Sequence, residues 1–206
     1  MSLVLDLQKE LYDNKISAEE ALRKAYVISR KLNINDMNEW INNELNGYQN
    51  VKNIPTYRNI NGTVEAFNPY HGWYPIKFPD LDIEKVLNNV NLNFSISEME
   101  SMIKNSKTDI IYLKTGATSY LVGKLNTKVR FQTSTHALIG ITNRIKNIIL
   151  DWTLQLEEKG ILGENFSFTN EEKEKGKEVL SPIINILFGD NNVVNSSDVN
   201  QDINKE

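Results

Sequence analysis

The chain contains no cysteine and only two histidines, His71 and His136. The first absence excludes a disulfide scaffold, an iron–sulfur cluster, a thiol nucleophile and any cysteine-based zinc site. The second excludes a histidine-rich metal centre. No stretch approaches the ~18 consecutive apolar residues of a membrane span. The opening residues, Met-Ser-Leu-Val-Leu-Asp, lack the basic region and apolar run of an export signal. A cytoplasmic chain without a membrane partner is therefore expected. Positive charge is also scarce: 23 Lys and Arg stand against 27 Asp and Glu, a net charge of −4. Broad nucleic-acid binding leaves a basic footprint that this balance does not supply, although a local basic face is compatible with it. Gly116 and Gly123 lack the lysine and hydroxyl spacing of a phosphate loop, and no cofactor signature is present.

What remains is ample for a globular fold. At 206 residues and 40% hydrophobic content, the chain suits one domain, or one domain with a small appendage. Asparagine is the one excess, with 28 residues, about 14% of the chain. It rises together with Lys and Ile, as AT-rich coding would produce. It also collects at helix ends, turns and the final residues, where its side chain can cap the backbone or tolerate left-handed geometry.

Periodicity divides the chain into a helical region (1–50), a mixed β/α region (51–134) and a second helical region (135–188), followed by an Asn-rich flexible tail (189–206). In the first region, Leu3, Val4, Leu7 and Leu11 share one helical face. Ser17 and Glu20 form a capping box ahead of Ala21, Ala25, Ile28 and Leu32. Met37, Trp40, Ile41, Leu45 and Tyr48 predict a third helix ending near Gly47. Beyond Ile54 the period shortens to two, broken by Asn61-Gly62 and by prolines 55, 69, 75 and 79. A short helix is expected over 83–90, and a second capping box at Ser97 and Glu100. A β-hairpin is expected from Ile110–Leu113 and Ser119–Val122 about a Thr115-Gly116 turn, then a strand over 129–133. The clearest element is a helix over 135–159 with an unbroken stripe from Leu138 to Leu156 and Gly160 as its left-handed cap. A third capping box, Thr169 with Glu172, opens a charged helix that turns apolar from Val179 and meets Pro182. The expected fold is α+β: an N-terminal three-helix layer, a small mostly antiparallel sheet, and the long amphipathic helix 135–159 packed across it.

Several phrases together resemble one family. These are Ser-Leu-Val-Leu-Asp-Leu-Gln (2–8), Leu-Arg-Lys-Ala (22–25) and Glu-Trp-Ile-Asn-Asn-Glu-Leu-Asn-Gly-Tyr (39–48). With them come Asn-Pro-Tyr-His-Gly-Trp-Tyr-Pro (68–75), Arg144, Leu-Asp-Trp-Thr-Leu-Gln-Leu-Glu (150–157) and Gly-Ile-Leu-Gly-Glu (160–164). The combination is similar to the AbiTii domain, named after a component of an abortive-infection system, and the resemblance covers residues 2–188. It implies a role in bacterial defence against phage and carries over no catalytic residue. Where the family's long helix tends to read Val-Arg-Asn-Arg, this chain has Asn143-Arg144-Ile145-Lys146-Asn147, leaving a single arginine.

The most unusual stretch is 68–75. Its rings, Tyr70, His71, Trp73 and Tyr74, form a candidate stacking platform for a base, a sugar or a partner loop, and Gly72 allows close approach to backbone. The plainer alternative is a rigid turn capping the helical layer. Arg130 and Arg144 are the candidate anion ligands because a guanidinium fork suits phosphate; the alternative is an ion pair with Asp151, Glu157 or another acid. His71 has no Ser or Asp at a familiar catalytic spacing. His136 opens the long helix, where a helix-start role is more usual than catalysis. Neither follows an arginine at the spacing of compact helical ribonucleases. Asp80, Asp82 and Asp109 are more simply loop caps than magnesium ligands, so no metal is expected.

These observations favour a phage-defence domain acting as a binding, assembly or sensing module over an evident enzyme. Self-association through the apolar segment 179–188 fits that reading. Two alternatives stay open: a protein that binds or sequesters a nucleotide signal, and a toxin enzyme acting on nucleic acid.

Overall fold

The amphipathic spacing of the first fifty residues produces three helices, α1 (Leu3–Tyr12), α2 (Ala18–Leu32) and α3 (Asn35–Asn46). The structure is a computed structural model, and it describes residues 2–49, 51 and 53–179. Ser17 Oγ accepts from the Glu20 N–H while Glu20 accepts from the Ser17 N–H at 2.8 Å, closing the box that starts α2. Gly47 ends α3.

Six strands follow: β1 (Asn59–Asn61), β2 (Thr63–Asn68), β3 (Gly72–Pro75), β4 (Asn89–Asn91), β5 (Ile110–Leu113) and β6 (Val129–Ser134). Between them lie α4 (Leu81–Leu87), α5 (Ile96–Asn105) and α6 (Gly116–Leu125). The strands make a four-stranded antiparallel sheet, ordered β3-β2-β6-β5, and a two-stranded ribbon of β1 with β4. Gly62 joins β1 to β2 where a Cβ would collide with the Gln132 carbonyl oxygen and the Phe131 ring.

The long helix α7 (Thr135–Glu158) buries Leu138, Ile141, Ile145, Ile148, Ile149, Trp152 and Leu156 against α1, α2 and α5. One face of the four-stranded sheet supplies Val64, Ile111, Leu113 and Phe131 to the same core. After Gly160, Glu172 opens α8 (Asn170–Lys177). Its Oε1 also accepts from the N–H groups of Leu162 and Gly163, at 3.0 and 3.1 Å. Their carbonyls in turn accept from the Val4 and Leu3 N–H groups at the start of α1. The fold is α+β.

Three expectations are corrected. Residues 119–122 are not the return arm of a hairpin but part of α6, and β5 pairs with β6 instead. Thr115 and Thr118 cap that helix reciprocally and Asn126 ends it in left-handed geometry, so local capping and the burial of Leu121 outweigh the strand preference of Tyr120 and Val122. The second capping box is Ser95 with Glu98, two residues earlier than predicted. Glu100 instead accepts from the Ala18 N–H at 2.7 Å and ties α5 to the start of α2. The expected helix 83–90 stops at Leu87, because Asn89–Asn91 pairs with β1.

Four of the five non-glycine residues with positive φ among those described are asparagines: Asn14, Asn33, Asn126 and Asn165. Val179 is buried in the domain's own core. The rest of the apolar segment 180–188, with Pro182, and the Asn-rich tail 189–206 lie outside the described residues.

A polar cluster sits inside this apolar frame. Glu44 and Arg58 are fully buried and ion-paired. Glu44 Oε1 accepts from Tyr48 Oη at 2.7 Å, Tyr57 Oη at 2.5 Å and Arg58 Nε at 3.1 Å. Arg58 also donates to the carbonyls of Leu92 and Phe94, so α3 is fastened to the segment that follows β4. Burial first, and then the Glu44 carboxylate, push the Tyr48 and Tyr57 hydroxyls far above the usual phenol range.

Candidate functional site

Alternation along β2 and β6 sends Val64, Val129 and Phe131 inward and turns Glu65, Phe67 and Arg130 to a second sheet face. Register places Glu65 opposite Arg130, Phe67 opposite Trp73, and Tyr112 opposite Gln132 on that second face. Arg130 is its centre. Its guanidinium carbon lies 4.1 Å from the Trp73 ring centroid and 3.7 Å from that of Tyr112, a sandwich between two aromatic planes. Its Nε donates to Glu65 at 2.7 Å. The terminal amino groups make no hydrogen bond among the described residues, and the side chain keeps 22% exposure. Three restraints therefore fix the plane of a fork whose outer edge stays unpaired.

Beside this stack the surface opens into a groove of about 760 Å³. Its walls include Trp73, Tyr112, Lys114, Val122, Lys128 and Arg130. Among the described residues three cations and no carboxylate line it, against the negative balance of the whole chain. Lys114 and Lys128 have no ion-pair partner among the described residues.

The 68–75 segment is a hairpin tip and the strand that leaves it. Asn68 Oδ1 accepts from the N–H groups of Tyr70 and His71, and Gly72 takes φ +77° to re-enter the sheet. Tyr70 is 91% exposed and His71 is exposed, both at the tip. Tyr74 follows Trp73 in the strand and so projects from the opposite face. Of the six candidate residues, Trp73 and Arg130 meet at the groove. Tyr70, His71 and Tyr74 do not line it, and neither does Arg144, exposed on α7. Arg144 makes no ion pair among the described residues, with Asp151 and Glu157 or any other acid.

His136 is exposed in the first turn of α7. Asp80 is the N-cap of α4, its Oδ1 accepting from the Asp82 and Ile83 N–H groups. Among the described residues no cluster of His, Asp and Glu is arranged to hold a metal ion, and no helix is long and apolar enough to cross a membrane.

The model of the AbiTii family matches residues 2–180. The chain belongs to the AbiTii family. That family name points to abortive infection as a phage defence, and it assigns no residue a role. No curated protein and no solved structure gives a significant match. In this AbiTii chain motif reading missed Tyr112, Lys114 and Lys128 in the groove, and Glu65, which holds Arg130 from beside it. Tyr112 carried a signal: it sits between inward Ile111 and Leu113, so alternation alone sends its ring to the other face. The register that sets Glu65 against Arg130 depends on a pairing 65 residues apart and has no local signature.

Proposed function

We propose that this AbiTii domain works in phage defence as a binding module, and that the groove-bearing face of its four-stranded sheet is the surface it uses. The observation that carries this reading is the asymmetry of that sheet. One face contributes Val64, Phe131 and Ile111 to the core, and the other presents Trp73, Tyr112 and Arg130 beside unpaired lysines. An outward sheet face that served solubility alone would alternate small polar and charged side chains, without holding a cation between two large rings. Aromatic anchors combined with arginine are the composition of recognition surfaces. The reading favours binding over catalysis because no nucleophile–base pair or carboxylate pair lies among the groove's lining residues.

The test is phage plating on cells carrying the chain in its native genomic setting, with Lys114→Glu and Lys128→Glu as variants. Restored plaque formation with both variants, at unchanged protein level and melting temperature, supports the reading. Full protection by both variants overturns it.

A further inference from the structure

We infer that the groove takes a nucleoside phosphate, free or carried by a single strand, with its phosphate on the outer edge of the Arg130 guanidinium. This rests on the sheet face being the working surface, and it adds what that surface binds.

Charge selects an anion. Arg130, Lys114 and Lys128 border one open cavity that no carboxylate among the described residues lines, in a chain of net charge −4. Glu65 touches Arg130 only through Nε, so the pair orients the fork while leaving its terminal amino groups available. A guanidinium held flat between Trp73 and Tyr112 loses little freedom on binding and presents two parallel donors, the arrangement that suits phosphate oxygens. A lone phosphate would leave most of a groove of about 760 Å³ empty. The remaining wall is largely apolar, from Trp73, Tyr112 and Val122, and Asn126 stands at its edge. Asn126 makes no side-chain hydrogen bond among the described residues. Apolar surface, an amide and a phosphate fork together match a heterocyclic base attached to a phosphate. The acidic balance outside the groove limits a strand to local contact, a few nucleotides and not a long track.

The experiment is equilibrium binding to the full chain at low salt, with ADP, adenosine, inorganic phosphate, a short oligouridylate and polyglutamate as probes. ADP or the oligouridylate is expected to bind at least about tenfold more tightly than adenosine or phosphate, since each of those offers only half of the recognised chemistry. Saturation by ADP alone identifies a free nucleotide as the source. Preference for the oligouridylate, with a log–log salt slope of about −2 for three cations, identifies a strand. Arg130→Lys is expected to weaken binding about tenfold because it keeps the charge and removes the fork. Lys114→Glu with Lys128→Glu, two solvent-facing changes that leave the core untouched, should weaken it at least as much.

Three results overturn the inference: no binding of ADP or oligouridylate at millimolar concentration, equal binding by the charge-reversed chain, or tighter binding of polyglutamate than of either. The two levels separate in the plating assay. If the charge-reversed chain loses protection while neither nucleotide probe binds the unaltered chain, the ligand class is wrong and the sheet face stands. If the charge-reversed chain protects fully, the sheet face itself is excluded.

Discussion

Glu44 and Arg58 are joined by an ion pair in which neither side chain has any solvent exposure. Removing two charges from water costs several kcal/mol per ion, and the pair persists because further hydrogen bonds to both partners offset that cost. Two phenol hydroxyls donate to the carboxylate, and two carbonyls accept from the guanidinium. Breaking one side leaves the other charge buried and alone. Glu44→Gln and Arg58→Met are each expected to destabilise the fold by about 3–5 kcal/mol in urea unfolding. The double variant Glu44→Gln with Arg58→Met should lose clearly less than the sum of the single losses. Additive losses would show that the pair is not the unit holding α3 to the ribbon.

Glu172 offers a pH test. Burial raises its carboxyl pKa, but the backbone N–H groups of Thr169, Gly163 and Leu162 outweigh that and hold it below the usual 4.5. A carboxylate whose folded pKa is depressed contributes stability that is fully present above the unfolded value and is lost as pH falls through the folded one. Glu172→Gln turns an NH₂ donor toward amides that need an acceptor, and is expected to cost about 1 kcal/mol at neutral pH. The gap between variant and parent should shrink as pH falls below 4.5, read by thermal unfolding at each pH. A gap independent of pH would mean that the charge is not what holds the loop of residues 160–164.

The phrases that resemble the family are largely the ones that fasten the fold. Ser2 Oγ donates to the Leu162 carbonyl, the Leu3 and Val4 N–H groups donate to the carbonyls of Gly163 and Leu162, and Glu44 and Tyr48 of the 39–48 phrase build the buried cluster. Helical faces were legible because spacing at three and four residues reports burial directly, as the α7 stripe shows. Capping chemistry was legible where only one register fits, as at Ser17, and ambiguous where two serines precede two glutamates at the same spacing, as at Ser95 and Ser97. The groove was only half legible. Trp73 and Arg130 stand out as residue types, but the pairing of β2 with β6 that brings them together is nonlocal.

The correction at residues 119–122 has its own test. Gly123 lies inside α6, and a Cβ added there would have no atom within 4 Å, so alanine meets open space. In a helix interior, replacing glycine by alanine stabilises by about 0.5–1 kcal/mol, mainly by restricting the unfolded chain. Gly123→Ala is therefore expected to raise the melting temperature by a few degrees. Were this segment the arm of a hairpin, the same change would bring no helix-propensity gain, and an unchanged or lowered melting temperature would count against α6.

Within the ring-rich segment the structure separates anchors from bystanders. Trp73 packs edge-on against Phe67, with centroids 5.4 Å apart, and stacks on Arg130, whereas Tyr70 stands 91% exposed at the hairpin tip. Trp73→Ala removes one plane of the guanidinium sandwich and is expected to cost about 1–2 kcal/mol in stability. Tyr70→Ala and His71→Ala touch only solvent-facing rings and should stay within about 0.5 kcal/mol of the parent. Circular dichroism melts of the three variants decide the matter. A loss at Tyr70 or His71 as large as that at Trp73 would show that the hairpin tip, and not the sheet face, is where these rings are held.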